Sequence, residues 1–590
     1  MLTSNPFSSC ALLMRRMRTG IGLFFSAFML LLTTIQARYT AFSPKSSEEF
    51  SSASRSVKPG LIASGIVSAW TWAATLLQSS AVAYKYGISG PWWYGAGATI
   101  QVLLFAMLAA KLKLNAPYAH TWLEIVGTRW GKTAHLIFMF FGLATNIIVS
   151  SMLILGGSAT VTDLTGMDTL AACFLIPLGV VIYVIVGGMR STLLCDYTHT
   201  TVLFAIILTF VFTVYTTSPK IGSTRRMHEL LTAAAGATPV PGNAHGSYLT
   251  MRSKDGLIFG VINIIGNFAT VFQDQAYWQR AIASRPETTV KAYLVGGLAW
   301  FAIPFTFATT LGLSAVALRG DPDMRPLSAA DVSAGLPAAA AAAALMGQAG
   351  AAALLVLLFL AVTSATSAEL IAVSSLLTYD VFKKYIKPNA TDSQLLQVGH
   401  YMVGPENFPM LAGNLASIGV GGIIATVTSL IWPDDFDFDI TRAINNPSAT
   451  NPNPVKSEEM KQEGKTEAED FERKEEIRES EEAASPSVID STIATEEQEE
   501  LDPVKLKSAF RFAAWSSLGL LLVLIILIPL PLFFAQTIYG VGGLSAWVII
   551  GLIWTFMSAF SVVLYPLWES REALHQIGAG IIKVRRLLLA

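Results

Sequence analysis

Apolar runs long enough to cross a lipid bilayer recur along most of the chain. They cover about residues 21–36, 61–83, 92–110, 135–156, 169–188, 198–217, 257–273, 292–318, 351–378, 411–432, 514–536 and 543–566. A helix needs about 20 mainly apolar residues to span the hydrocarbon core of a bilayer. The pattern therefore predicts an all-α, polytopic membrane protein with roughly twelve spans.

Lysine and arginine are distributed unevenly among the predicted loops. The richer loops hold Arg38/Lys45/Arg55/Lys58, Lys111/Lys113/Arg129/Lys132, Arg190, Arg280/Arg285/Lys291 and Lys383/Lys384/Lys387. Since basic loops stay on the cytoplasmic side, we expect these loops inside and the N-terminus outside. Loops 218–256 and 319–340 are then external, and the second, rich in alanine, is expected to hold a short surface helix.

The charge pattern divides the chain into five expected segments. They are an N-terminal segment (1–20), a helical bundle (21–432), a Glu-rich, aromatic-poor loop expected to be disordered (433–503), a transmembrane hairpin (504–567) and a basic tail (568–590). Basic and less basic loops alternate between the two sides of the membrane up to Lys387. No predicted span lies between Lys387 and the run 411–432, so this run breaks the alternation. An odd number of helices is therefore missing from a regular pattern.

One apolar run carries a polar stripe that interrupts its otherwise lipid-compatible surface. Asn263, Asn267, Thr270 and Asp274 follow each other at spacings of four, three and four, which places them on one helical face. Amides and a carboxylate facing lipid would each cost a few kcal/mol. The stripe must face other helices or a watery cavity, and Gly260 and Gly266 beside it are expected to mark where the helix unwinds. Bonding between neighbouring helices is the plainer alternative for each residue.

Two further runs carry unusual polar positions. In 61–83, Ser64, Ser68, Thr71, Thr75 and Ser79 form a stripe, with Trp70 and Trp72 beside it in mid-helix. In 351–378, Glu369 is the one carboxylate deep in the run, together with several hydroxyl side chains. A carboxyl group inside a membrane is protonated, paired or functional, so Glu369 is a candidate proton carrier. A neutral carboxyl bonded to another helix is the alternative.

Composition agrees with this class and excludes others. The 590 residues are 53% hydrophobic and only 14% charged, with mean hydropathy +0.52, whereas about a quarter of residues are charged in soluble domains. Nothing indicates nucleic-acid binding or a cofactor. The seven histidines and three cysteines show no metal or nucleophile spacing, so we expect neither an enzyme nor a metal site.

The polar helices resemble a known family. The stretches 54–87, 243–286 and 366–380 (TSAELIAVSSLLTYD), followed by PMLAGN and IIATVTSLIWPDDFDFD, are similar to the urea active transporters of fungi and plants, of the sodium:solute symporter family. The likeness runs from about residue 20 to 442. It implies a bundle of two inverted five-helix repeats, in which the first helix of each repeat, here 61–83 and 257–273, is broken and lines the solute site. It also implies proton-coupled urea uptake at the plasma membrane.

The resemblance also implies a set of site residues. Trp70, Tyr94, Ala98, Thr121, Asn263 and Asp274 fall at its pocket or gating positions, and Ala98 rests on the resemblance alone. Urea offers two NH2 groups and one carbonyl, so it needs acceptors, a donor and flat walls. Asp274, Asn263 and Thr270 supply acceptors; Asn267, Thr121 and an indole N–H of Trp70 or Trp72 supply donors; Tyr94 supplies a wall. Glu369, Asp274 and Ser364 are expected to couple ions or protons.

Two departures from the family pattern matter. Sodium-coupled members have two adjacent hydroxyls where this chain has Ser364 and Ala365, so protons are favoured over sodium. About three helices are missing near 400–404, which leaves the second repeat incomplete and is expected to impair alternating access. Two alternatives stay open, namely another solute such as a polyamine, and a truncated membrane protein that does not transport.

Overall fold

The computed structural model describes residues 20–40, 44–165, 167–403 and 502–589, and these residues are almost entirely helical. The α-helices are α1 (Gly20–Tyr39), α2 (Ser47–Ser52), α3 (Pro59–Trp70), α4 (Ala73–Tyr86), α5 (Ser89–Asn115), α6 (Trp122–Thr165), α7 (Thr169–Phe212), α8 (Thr224–Ala237), α9 (Lys254–Gln273), α10 (Gln275–Ala283), α11 (Thr289–Phe307), α12 (Leu313–Ala317), α13 (Ala329–Ser333), α14 (Pro337–Ser375), α15 (Asp392–Val403), α16 (Pro503–Leu521), α17 (Pro529–Ala535), α18 (Val541–Ala559), α19 (Tyr565–Glu569) and α20 (Arg571–Leu589). The described ranges contain isolated β-bridges and no strand.

Turns of π-helix extend several of these helices. They cover Thr213–Thr217, Ala308–Gly312, Leu376–Ile386, Leu522–Leu527 and Phe560–Leu564. By length and apolar composition, eight helical segments of the described chain qualify as membrane spans, or nine when α3 and α4 count as one bent span. The prediction of an all-α, multi-pass membrane protein is confirmed. The run 411–432, the segment 1–20 except Gly20, and nearly all of 433–503 lie outside the described residues.

The runs 169–188 and 198–217, predicted as separate spans, form one helical segment folded at Gly188. This glycine has φ +56°, a left-handed conformation that favours glycine. The Tyr183 hydroxyl lies 3.2 Å from Sγ of Cys195. Twelve residues of straight helix would separate these residues by about 18 Å, so the chain must reverse between them. Gly131 in α6 and Gly347 in α14 interrupt their helices in the same left-handed region.

The core is formed by helices with buried faces rich in aromatic side chains. α5 contacts α9, α11 and α16, while α14 packs on α6 and α7. Trp93, Tyr293, Trp300 and Phe301 are among the largest fully buried side chains. The rings of Phe105 and Tyr293 stack with centroids 5.1 Å apart, joining α5 to α11. The short surface helix expected in 319–340 is present as α13.

Arg280 corrects one premise of the topology prediction. We expected it in a basic loop, but its side chain is fully buried in α10 and paired with Asp196. Arg285, in the connection before α11, and Lys291, in the first turn of α11, remain as the basic residues of that region.

Candidate functional site

The first core helix is broken, as the family resemblance implies. α3 ends at Trp70, α4 begins at Ala73, and their axes differ by 61°. A break inside a membrane leaves backbone groups that need partners. Nε1 of Trp300 donates to the Trp70 carbonyl at 2.9 Å, and the Thr75 hydroxyl lies 3.3 Å from the same oxygen. The break is therefore stabilised by side chains from α11 and α4.

The second break lies at Asp274 and not at the glycines where we expected it. α9 is continuous through Gly260 and Gly266 and ends at Gln273, and Asp274 has an extended backbone. Oδ1 of Asp274 accepts a hydrogen bond from the backbone N–H of Ala276 at 2.7 Å, which caps the next helix. Gly260 instead allows close packing, because a Cβ there would lie 2.6 Å from the Trp93 ring.

Asn146 joins the two carboxyl groups that the sequence analysis selected. Its Nδ2 donates to Oδ1 of Asp274 at 2.9 Å and to Oε2 of Glu369 at 2.7 Å. All three side chains are buried. Two carboxylates sharing one amide would repel each other strongly in a medium of low dielectric, so the arrangement favours a proton on the pair. Oδ2 of Asp274 and Oδ1 of Asn146 have no partner among the described residues. We call these three residues the carboxyl cluster.

The polar stripe on α9 forms a chain of hydrogen bonds. Nδ2 of Asn267 donates to Oδ1 of Asn263 at 2.8 Å, and Nδ2 of Asn263 donates to the Tyr94 carbonyl at 3.1 Å. The Thr270 hydroxyl donates to the Gly266 carbonyl, 3.3 Å away. The Tyr94 ring stacks on Phe259 with centroids 5.9 Å apart. Asn263 thus connects the stripe to α5, and Asp274 connects it to Asn146 on α6.

Much of α9 is uncovered by the described residues. Ile258, Ile262 and Ile265 are 48%, 62% and 62% exposed, respectively. The side chains of Asn263 and Asn267 are half-buried. The described helices therefore enclose the site on only part of its circumference.

Both tryptophans expected to donate to the solute are engaged elsewhere. Nε1 of Trp70 donates to the Ala98 carbonyl at 2.6 Å, and Nε1 of Trp72 donates to the Ala69 carbonyl at 2.7 Å. In this conformation the indole N–H groups secure the helix break. The buried Ala98 accepts the bond from Trp70 through its backbone carbonyl, next to the helix break. The two indole rings meet edge to face, 5.5 Å apart, as an apolar wall.

Thr121 lies in a separate group of contacts. Its hydroxyl accepts from the Glu124 N–H at 3.2 Å and caps the start of α6. Among the described contacts, none joins it directly to the stripe or to the carboxyl cluster. Its expected role as a donor to the solute gains no geometric support in this conformation.

Ser364 also belongs to a different cluster. Its hydroxyl donates to Oδ1 of Asp196 at 2.7 Å and contacts the Ser68 hydroxyl. Nη2 of Arg280 donates to Oδ2 of Asp196 at 2.6 Å, and Nε of Arg280 donates to the Gly65 carbonyl at 3.0 Å. We call Ser68, Asp196, Arg280 and Ser364 the arginine cluster. It connects α3, α7, α10 and α14. A fixed guanidinium charge already balances Asp196.

The short helix α2 links several elements beside the loop 116–121. Nε2 of His120 lies 2.6 Å from Oε2 of Glu48, and Nε2 of Gln279 donates to the Ser51 carbonyl at 2.6 Å. Burial alone would raise the pKa of Glu48, but the charges of Arg55 and His120 outweigh it and hold that pKa below 4.5. Burial alone would lower the pKa of His120, but Glu48 and Glu124 raise it above 6.5.

Sequence reasoning missed Asn146, Asp196 and the buried state of Arg280. Asn146 is the one amide in the apolar run 135–156, which was a usable signal. Asp196 falls between the predicted runs 169–188 and 198–217, so it was not considered as a buried residue. The fold at Gly188 places it inside the bundle, and a pattern of hydrophobicity does not encode that reversal.

Comparisons with known proteins agree with this architecture. The model of the sodium:solute symporter family matches residues 50–403. A urea-proton symporter of Oryza sativa subsp. japonica, DUR3, is 52% identical over 65% of this chain and 54% of its own length, so this chain spans about half of that relative. A probable urea active transporter 1 of Schizosaccharomyces pombe is 40% identical over 95% of this chain and 90% of its own.

Two further comparisons concern the length of a relative and the fold. The urea active transporter of Saccharomyces cerevisiae is 36% identical, covering 95% of this chain and 91% of its own; the alignment spans 671 positions, so roughly 110 of its residues have no counterpart here. The gap near 400–404 and the helices expected there stay a prediction, since the alignment length does not locate those residues. A solved Na+-coupled sialic acid symporter in an outward-open state covers 70% of this chain and 83% of its own, with 18% identity and a TM-score of 0.50. It resembles this chain in fold alone.

Proposed function

The chain belongs to the sodium:solute symporter family, and from that premise we propose that it transports urea by secondary active transport coupled to protons. The family consists of transporters, so an enzymatic function is set aside. The relatives described as urea transporters support urea as the solute. The rice relative is described as a urea-proton symporter, which supports the proton as the coupling ion. We place the activity at the plasma membrane, where uptake of an external nitrogen compound takes place.

The carboxyl cluster is the observation that carries the proposal. Asp274 sits at a helix break, and Asn146 connects it to Glu369 on a different helix. A proton shared by this pair neutralises the site, and its loss creates a charge that the amide must stabilise. Two helices thereby sense protonation, which is what coupling to a conformational change requires.

We expect urea to bind beside this cluster through its hydrogen-bonding groups. The oxygen atoms of Asp274, Asn267 and Thr270 accept from its NH2 groups, and the edge-to-face rings of Trp70 and Trp72 supply the apolar wall. The donor to its carbonyl is the Asn267 amide, once it leaves Asn263. Urea and proton bind together, and each raises the affinity for the other by the same factor.

Sodium is a weaker candidate for the coupling ion. Ala365 offers no hydroxyl and packs in an apolar group with Val149 and Leu153. Ser364 is engaged with Asp196, whose charge Arg280 already balances. The position where sodium-coupled members use two hydroxyls therefore has one oxygen fewer and a permanent cation nearby.

Uptake of labelled urea tests the proposal. The chain is expressed in cells that lack their own urea transporter, and uptake is measured in acid and neutral medium with and without sodium, together with the amount of protein at the cell surface. We expect faster uptake in acid and no requirement for sodium. In Glu369→Gln, which keeps a neutral side chain, uptake should lose its dependence on pH.

The same assay separates the alternatives. If a polyamine competes with labelled urea more strongly than unlabelled urea does, the solute is a cation. The two carboxyl groups would also attract such a solute. The chain is a truncated protein that does not transport if it reaches the cell surface but takes up no urea, and if uptake returns when the roughly 110 residues of the S. cerevisiae relative are inserted.

A further inference from the structure

A groove runs along the seam between α11 and the pair α18–α19, away from the carboxyl cluster. Its volume is about 460 Å³. The lining is almost wholly apolar and consists of Val295, Leu298, Ala299, Ile550, Ile553, Trp554, Met557, Ser558 and Ser561. Nε1 of Trp554 donates to the Leu298 carbonyl at 2.9 Å, so the tryptophan ring is fixed as part of the groove wall.

A second cavity, of about 380 Å³, lies at one end of the same seam. Its charged and aromatic lining is Lys58, Arg285, Lys291, Tyr565, Trp568, Glu569, Arg571 and Glu572. Four cations therefore face two carboxylates. The excess of cations makes the cavity net positive, and Oε2 of Glu569 accepts a hydrogen bond from the backbone N–H of Gly60 at 2.9 Å.

The two cavities are neighbours along both walls. Lys291 in the basic cavity and Val295 in the groove are one helical turn apart on α11. Tyr565 and Ser561 are likewise four residues apart on the opposite wall. From Ile550 to Ser561 the groove follows a helix for about 16 Å, which is close to half of the roughly 30 Å hydrocarbon core.

The side chains of the basic cavity are of the types that favour a membrane interface. Arg571 is held over the Trp568 ring at 4.7 Å, and Tyr565 adjoins that ring. Tryptophan and tyrosine concentrate where the hydrocarbon core meets the headgroups. Lys58 and Arg285 precede α3 and α11, and Lys291 lies in the first turn of α11. The distribution of basic residues predicts these regions on the cytoplasmic side. Basic pockets between helices on that side suit anionic lipid headgroups.

We propose that this seam binds an anionic glycerophospholipid of the cytoplasmic leaflet, with its phosphate in the basic cavity and an acyl chain in the groove. The phosphate contacts Lys58, Lys291 and Arg571, and the chain lies along Val295 and Met557. Lys58 immediately precedes α3, and its Nζ bonds the Glu569 carbonyl at 3.0 Å. A lipid bound here therefore contacts the residue that leads into the broken core helix.

Native mass spectrometry of the purified full chain tests the site. The protein is released from micelles containing dioleoylphosphatidylglycerol, dioleoylphosphatidylcholine or a mixture of the two. We expect one phosphatidylglycerol to remain bound in preference to phosphatidylcholine. Lys291→Gln/Arg571→Gln should lower that occupancy at least fivefold by removing cations, and Val295→Trp should do so by filling the groove.

Matched controls separate the site from general lipid binding. Lys111→Gln removes an exposed cation on the same predicted side, and Val186→Trp enlarges a side chain that is likewise exposed on another helix. Neither should change the occupancy. An unchanged melting temperature in detergent is required of every variant, and one that fails it is replaced by Met557→Trp or by the single charge substitutions.

Three results would overturn the proposal. They are equal occupancy of the anionic and zwitterionic lipids, occupancy that survives both the charge and the groove substitutions, and complete displacement of the lipid by inorganic phosphate alone. The last result would identify a soluble phosphate site without a role for the groove.

Discussion

Replacing Asn146 by leucine should uncouple urea uptake from the proton gradient. Leucine has a similar size but removes the two N–H donors that reach Asp274 at 2.9 Å and Glu369 at 2.7 Å. A hydrogen bond to a charged group contributes about 1.5–3 kcal/mol. The carboxylate that remains after proton release loses this stabilisation, so the cluster keeps its proton more tightly.

The loss of one such bond in the deprotonated state corresponds to about 10- to 100-fold tighter binding of the proton. We therefore expect proton-driven uptake to fall by roughly that factor. Exchange of labelled for unlabelled urea at equal concentrations, which does not require net proton release, should fall less. The two measurements, made on the same cells and normalised to surface protein, distinguish lost coupling from lost binding.

Ser150→Ala is the matched control, because Ser150 is buried one turn further along the same helix and lies outside the carboxyl cluster. Its uptake should remain within about twofold of the unmodified chain. If Asn146→Leu retained its full response to external pH, the amide bridge would have no part in coupling. Equal loss of net uptake and of exchange would assign Asn146 to urea binding or to folding instead.

Three other predictions concern the supporting contacts. Asp196→Asn leaves the buried Arg280 charge without its partner, which should cost about 3–5 kcal/mol of folding free energy. The melting temperature in detergent should fall accordingly, and the additional change Arg280→Met should recover part of that loss. The contact between Glu48 and His120 should stabilise the fold most between pH 4.5 and pH 6.5. Because the pKa of Glu48 is lowered on folding, its contribution is complete above pH 4.5 and is lost in more acid solution. Because the pKa of His120 is raised on folding, its contribution is complete below pH 6.5 and is lost as the pH rises through the folded value. Hydrogen exchange at residues 47–52 should accelerate outside this window, and His120→Gln should remove the alkaline limb. Trp300→Phe removes the donor to the Trp70 carbonyl, so we expect the folding free energy to fall by about 1–3 kcal/mol and urea to bind more weakly. An unchanged melting temperature would show that the helix break does not need this hydrogen bond.

The sequence was sufficient for the class of protein and for most of its helices. Apolar runs of about 20 residues have one stable arrangement in lipid, because a helix satisfies its backbone groups internally. The polar stripe of Asn263, Asn267 and Asp274 identified a protein-facing surface for the same reason. The broken helices followed from the family resemblance, and composition alone does not locate the break at Thr71 and Trp72.

Tertiary structure decided which polar residues meet. Asn146 joins Asp274 to Glu369 only because α6, α9 and α14 converge, and their separations in sequence contain no information about that distance. The fold at Gly188 likewise turns Asp196 inward to Arg280, which loop counting had placed among cytoplasmic cations. Hydrophobic periodicity reports which face of a helix avoids lipid. The partner of a buried carboxylate depends on helix packing, which is a property of the whole bundle.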